Sequence, residues 1–181
     1  MKNKAVFLDR DGTVNIDKDY LYKIDDFQFE SGVTDTLKYL FDRGYKLIII
    51  SNQSGIARGY FSVDDVEILH KHIKKAALES GFEIAEIYYC PHFADGNVKK
   101  FAIECKCRKP GTELIERAIN EHNIDRSQSY MIGDKESDII AGKNAGLKTI
   151  LVGTGYGKET AVIFKDYDYY FENISGIKAI I

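Results

Sequence analysis

AVFLDRDGTVN, residues 5–15, joins four apolar residues to two aspartates set two apart, Asp9 and Asp11, with Gly12 directly behind them. So short an apolar run reads as a strand buried on both faces. Side chains two apart on a strand point the same way, so this period aims both carboxylates in one direction. Like charges held together raise each other's pKa. The pairing therefore calls for a cation, or for chemistry that uses two carboxylates. Gly12 lets the backbone turn sharply and approach a ligand. A solvated turn is the plain alternative for DRDG alone. An EF-hand calcium loop does not fit, because the third oxygen-bearing residue before the glycine and the terminal glutamate are missing.

Four further runs read as strands of the same kind: YKLIII (45–50), IAEIYY (84–89), SYMI (129–132) and KTILV (148–152). Helical spacing lies between them. Val33, Leu37, Leu40 and Phe41 form one apolar face that stops at Gly44. Val66, Leu69, Ile73 and Ala77 form a second, after the capping sequence SVDD and before Gly81. Leu114, Ile115, Ala118 and Ile119 form a third, ending near Asn123, and a shorter helix follows GDKESD and ends at Gly146. Strands alternating with helices imply right-handed crossovers and an α/β fold: a three-layer, doubly wound parallel sheet of Rossmann-like type. The tail YDYYFENISGIKAII (167–181) reads as a last strand and a short helix, its tyrosines packing an edge.

The 181 residues suit one domain, spanning 1–181 and able to bury roughly 70% of the unfolded surface. At 44% hydrophobic and 29% charged, with two prolines, the composition is that of a soluble globular protein. A net charge of −3, with both signs mixed along the chain, suggests neither a nucleic-acid footprint nor a membrane-binding surface. The apolar run near the N-terminus is too short for a signal peptide and no stretch approaches the length of a membrane span. A cytosolic protein, monomeric by default, is expected.

In doubly wound folds ligands sit at the carboxyl ends of the strands. Asp9 and Asp11 after the first strand, Ser51 and Asn52 after the second, Cys90 and His92 after the third and Asp134 after the fourth should meet in one crevice. Three converging carboxylates, Asp9, Asp11 and Asp134, make a hard-oxygen site suited to Mg²⁺. A carboxylate can attack phosphorus while a protonated neighbour supplies the leaving group's proton. Asp134 could instead be only a helix N-cap. Ser51, Asn52 and nearby backbone N–H groups could hold phosphoryl oxygens. Lys109 can balance the equatorial charge of a transferring phosphoryl group, and Arg108 can grip phosphate bidentately, although a basic pair is also common surface charge.

CPHFADGNVKKFAIECKC (90–107) holds all three cysteines of the chain. Cys90, His92, Cys105 and Cys107 form C-x-H followed by C-x-C, a complete ligand set for a closed, structural Zn²⁺ site; free buried cysteines are the alternative. Such a site would brace the loop and hold Arg108 and Lys109 against the crevice. His70 and His72 read as solvated residues, and His122 sits near a helix end that favours a cation; none is given a role.

FLDRDGT, SNQSGIARG, CRKPG and GDKESDIIAG, in this order, resemble the four motifs of the haloacid dehalogenase superfamily of phosphotransferases. The zinc loop and NQSGIARGYF are similar to one branch of it, which removes the 7-phosphate of a heptose 1,7-bisphosphate in bacterial heptose precursor synthesis. The resemblance covers about the first 155 residues and implies a phosphatase of haloacid dehalogenase type that works through an aspartyl-phosphate. It implies Asp9 as nucleophile and Asp11 as general acid, then base. Mg²⁺ would be held by the Asp9 carboxylate, the Asp11 carbonyl and Asp134, with Asp138 orienting that shell. Ser51, Arg108 and Lys109 would stabilise the phosphoryl group. Asp17, Tyr20, Asn52, Gln53, Ser54 and Lys135 match substrate-lining positions, and Arg58 lies in a loop placed to meet the sugar's second phosphate. RKPGTEL is two residues shorter than usual, so the third helix must start sooner. No cap domain fits between the strands, so the zinc loop and the GIARGYF loop must cover the site. Histidinol-phosphate phosphatase, which shares the aspartates and the zinc loop, is the nearest rival. An inactive zinc-loop binding module is a more distant one, and a dehalogenase would have no need of the acid Asp11.

Overall fold

The structure is a computed structural model that describes residues 2–181. Six parallel strands form one sheet: β1 (Ala5–Leu8), β2 (Lys46–Asn52), β3 (Ile84–Cys90), β4 (Tyr130–Gly133), β5 (Lys148–Val152) and β6 (Tyr169–Phe171), in the order β3-β2-β1-β4-β5-β6. The five expected strands and the strand in the tail all form. The second and third run further than expected, so Ser51, Asn52 and Cys90 are strand residues.

Strand parity sorts the core. Val6 and Leu8 face one side with Leu47, Ile49 and Ile132; Ala5 and Phe7 face the other with Ile48, Ile50 and Met131. Every side chain of β1 is fully buried, and burial of Val6, Phe7 and Leu8 stabilises the fold by about 1.5–3 kcal/mol each. On the first side lie α1 (Val33–Asp42) and α3 (Val63–Glu79); on the second lie α4 (Glu113–Glu121) and α5 (Glu136–Asn144). Ser62 caps α3 in a reciprocal capping box with Asp65, as SVDD predicts. Phe41, read as part of the α1 face, is instead 37% exposed, because α1 meets the sheet through Val33, Leu37 and Leu40.

Two helices lie outside the sequence reading. GIARGYF is not wholly a loop: Ser54–Arg58 form α2, a short helix closed by Gly59 in a left-handed conformation. α6 (Gly157–Ile163) follows β5. After Lys109 a turn in which Gly111 N–H donates to the Arg108 carbonyl at 2.7 Å leads into α4 at Glu113. From β1 the chain winds outward through β2 to β3, then returns across β1 to β4, so the order reverses between β1 and β4. That point, at the strands' carboxyl ends, is where this architecture opens a ligand crevice.

Candidate active site

Asp9 leaves the end of β1 with its N–H donating to the Ile132 carbonyl of β4 at 2.9 Å, which fixes it at the reversal point. Lys109 Nζ lies 2.6 Å from Asp9 Oδ1, 2.7 Å from Asp138 Oδ1 and 2.6 Å from the Ile50 carbonyl. All three charged side chains are buried. Burial works against the Lys109 charge, but Asp138 and Asp9 outweigh it and raise its pKa. Asn52 holds the Lys109 backbone from both sides: its Oδ1 accepts from Lys109 N–H at 2.9 Å and its Nδ2 donates to the Lys109 carbonyl at 3.1 Å.

Asp134 enters from the end of β4, fully buried. Its Oδ2 accepts from Tyr156 N–H at 2.8 Å, whereas Oδ1 is buried with no partner. Burial first, then the charges of Asp9 and Asp138, push its carboxyl up to about 8. Carboxylate oxygens of Asp9, Asp134 and Asp138 lie within 4.8 Å of one another. An orphaned oxygen in such a cluster is what a hard divalent cation satisfies, so these residues fit Mg²⁺. Two glycines make room for them. A Cβ on Gly12, at φ +83°, would stand 2.5 Å from Asp134 Oδ2, and one on Gly155, at φ +51°, 2.3 Å from the same oxygen. Asp138 does more than complete this carboxylate cluster: it pairs with Lys109 and, through Oδ2, accepts from Lys135 N–H to cap α5.

The Asp11 carboxylate lines the crevice inside a ring of donors. Arg10 Nε and Nη2 donate to Oδ1 at 3.2 and 3.0 Å, Nη2 also approaches Oδ2 at 2.9 Å, and Asn15 Nδ2 donates to Oδ1 at 3.0 Å. Gln53 Nε2 donates both to Asp11 Oδ2 at 3.0 Å and to Ser51 Oγ at 2.7 Å. Burial alone would raise the Asp11 pKa; the Arg10 charge and these hydrogen bonds overcome it and hold the group below the usual value, as a carboxylate.

Above this floor opens a crevice of about 390 Å³. Asp17, Tyr20, Asn52, Gln53, Ser54, Arg108, Lys109 and Lys135 line it, together with Asp19, Ser137 and Tyr156, which the sequence reading passed over. Lys135 reaches Asp17 at 3.4 Å and lies 4.7 Å over the Tyr156 ring. Tyr20 packs edge-on against Tyr60 at 4.7 Å. Ser51 sits beneath the lining, under Gln53. Arg58 is not among the lining residues. Its guanidinium stacks 4.1 Å over the Phe93 ring, which Arg108 also approaches at 5.3 Å, and its Nε is buried without a partner.

Three histidines differ from expectation. His70 is buried, 7% exposed, because position 70 falls on the sheet-facing side of α3. There it meets Arg10, and burial and the Arg10 charge lower its pKa to about 3. His122 ends α4 half-buried beside Tyr88, with burial and Lys46 lowering its pKa, so the helix end does not make it a cation. His72 is half-buried against the Phe27 ring.

A second cluster forms at the end of β3. The sulfurs of Cys90, Cys105 and Cys107 are 3.1–3.5 Å apart, and His92 Nδ1 is 3.3 Å from Cys107 and 3.8 Å from Cys90. A tetrahedral ion with bonds of about 2.3 Å to sulfur separates its ligands by roughly 3.7 Å, so this set can hold a metal. The loop also grips α2: Val98 N–H donates to the Ala57 carbonyl at 2.8 Å, and Phe101 packs on Ile56 and Phe61.

Comparison with known proteins agrees with this geometry. A family model described as "HAD-hyrolase-like" matches residues 106–176. The D-glycero-beta-D-manno-heptose-1,7-bisphosphate 7-phosphatase of Haemophilus ducreyi is 50% identical over 157 residues, 86% of each chain. The D-glycero-alpha-D-manno-heptose-1,7-bisphosphate 7-phosphatase of Campylobacter jejuni is 40% identical over 177 residues, 98% of this chain and 95% of that one. Among solved structures, the D,D-heptose 1,7-bisphosphate phosphatase of B. bronchiseptica complexed with magnesium and phosphate superposes with a TM-score of 0.85 at 27% identity, covering 97% of this chain and 96% of that one.

Proposed function

Since this chain belongs to the heptose-1,7-bisphosphate 7-phosphatase family of haloacid dehalogenase-like hydrolases, we propose that it hydrolyses the 7-phosphate of D-glycero-D-manno-heptose 1,7-bisphosphate through an aspartyl-phosphate on Asp9. The observation that carries the reading is the buried Asp9–Lys109–Asp138 chain beside the orphaned oxygen of Asp134. It supplies a nucleophile, a fixed cation and ligands for a second cation at one strand reversal. Mg²⁺, when held by Asp9, Asp134 and the Asp11 carbonyl, neutralises phosphoryl charge.

Lys109 keeps Asp9 Oδ1 anchored, so the nucleophile faces phosphorus in one orientation. As the transferring group spreads charge over its equatorial oxygens, the Lys109 ammonium, Arg108 and the Ser51 hydroxyl offset it. The sugar oxygen leaves with a proton from Asp11. A phosphate arriving beside Asp11 raises that group's proton affinity and loads it as the acid. Once the sugar has gone, Asp11 is again a carboxylate among Arg10, Asn15 and Gln53, and takes a proton from the water that attacks the aspartyl-phosphate. Lys135, Asp17 and Tyr20 meet the heptose, and Arg58, which shares the Phe93 ring with Arg108, meets its second phosphate. Cys90, His92, Cys105 and Cys107 would hold Zn²⁺, which would brace the loop that carries Arg108 and Lys109; cysteines not paired as disulfides suit a reducing cytoplasm.

Phosphate release from the heptose bisphosphate and from histidinol phosphate, side by side with Mg²⁺, tests the reading. At least about tenfold higher kcat/KM on the bisphosphate is expected. Preference for histidinol phosphate would overturn the substrate assignment, and activity on neither would leave the zinc-loop binding module.

A further inference from the structure

Arg10 heads the large, fully buried side chains among the described residues, and its guanidinium is divided between two tasks. Nε and Nη2 hold Asp11, and Nη2 also donates to the Leu21 carbonyl at 2.9 Å; Nη1 instead points into α3 and meets His70 Nε2 at 3.2 Å. A guanidinium has only donors, so His70 Nε2 must be the acceptor and its proton must sit on Nδ1. A planar guanidinium turns as a unit. Whatever fixes Nη1 therefore also sets the angle at which Nε and Nη2 present themselves to Asp11. His70 is held in turn by ring contact with Tyr89 at 5.3 Å.

We propose that His70 is a positioning residue for the phosphatase reaction: its Nε2 lone pair fixes the plane of Arg10 and, through Arg10, the orientation of the Asp11 carboxylate. The inference rests on the reading of Asp11 as the acid and base of that reaction. It gives α3, which supplies no other group to the crevice, a part in the chemistry. Burial beside the Arg10 charge keeps the imidazole neutral, as an acceptor must be.

The test separates the acceptor from the ring. His70→Gln keeps a strong acceptor, His70→Met has the same length with only a weakly accepting thioether, and His70→Phe keeps the ring packing on Tyr89 without an acceptor. Steady-state kinetics with the Mg²⁺-loaded, zinc-replete full chain on heptose 1,7-bisphosphate should show kcat falling about 10- to 100-fold in the Met and Phe variants, with KM changed less than about threefold. The Gln variant should stay within about threefold of wild type. Equal loss in Gln and Met, a Phe variant as active as wild type, or a rise in KM in place of a fall in kcat would each overturn the proposal. So would a Met variant that fails to fold while Gln folds, because the acceptor would then be structural only. A wild-type chain without turnover on the bisphosphate would refute the functional reading itself, and is seen before any variant is compared.

Discussion

At the scale of single residues, the site is built from close approaches that leave no slack. Gly12→Ala places a methyl 2.5 Å from Asp134 Oδ2 in a backbone region that L-residues rarely adopt. Asp134 must then move, and with it the oxygens offered to the metal. The expected outcome is loss of at least about 100-fold in kcat/KM, a weaker dependence on Mg²⁺ and a cost of about 1–2 kcal/mol in stability from the strained backbone. Titrating activity against Mg²⁺ checks it; an unchanged titration would show that Gly12 is a turn residue only. The aspartates were legible because two carboxylates at period two cannot be explained by packing. Arg10 was not, since a charged residue between two aspartates looks like surface. His70 carried a signal that went unread: with Val66, Leu69, Ile73 and Ala77 it completes the buried stripe of α3. Asp138 was expected to orient the carboxylate site, but its partner Lys109 lies 29 residues earlier in the chain, a distance that no local pattern bridges.

At the scale of elements, the loop between β3 and α4 joins two sites. Cys90 is the last residue of β3, Cys107 immediately precedes Arg108, and Asn52 at the end of β2 holds Lys109 by its backbone. Bracing the loop thus braces the cation of the crevice. Cys107→Ser should remove zinc from the purified protein and lower the melting temperature by several degrees, because the free energy of metal binding is coupled to local folding. Metal analysis alongside thermal melting checks this, and unchanged melting with zinc near zero would show that the loop stands without its metal. The spacing of C-x-H and C-x-C made this four-residue cluster legible. The grip of the loop on α2 was not, since GIARGYF read as a loop and the contacts of Phe93 with Arg58 and Arg108 depend on how two distant segments fold together.

At the scale of the whole molecule, the doubly wound parallel sheet was legible because short apolar runs alternate with helical patterns, which put the crevice at the strands' carboxyl ends; the strand order, and with it the reversal between β1 and β4, was not. α6 and the extensions of β2 and β3 were not, because polar residues such as Ser51 and Asn52 are held in the sheet by pairing with β3 rather than by their own preference. One global property follows from the buried network. His70 is neutral when folded, with a pKa near 3, and binds a proton when unfolded, with an ordinary value near 6.5. The unfolded chain therefore takes up more protons between those limits, so His70 makes stability fall as pH drops from about 6.5 towards 3, by up to about 1.4 kcal/mol per pH unit. Denaturant unfolding of wild type and His70→Gln across pH 4–7 should show a shallower slope in the variant; parallel slopes would place an exposed, titrating imidazole at position 70.

The central claim is that Asp9 is the nucleophile, carried by its place at the strand reversal and its contact with Lys109. Acid-quenching the enzyme during turnover of heptose 1,7-bisphosphate with Mg²⁺, followed by peptide mass analysis, tests it directly. The account predicts a phosphoryl group on the peptide containing Asp9, absent in Asp9→Asn, which should keep its fold and zinc but lose turnover. Turnover with no phosphorylated peptide, or with the phosphoryl group on another residue, would contradict it.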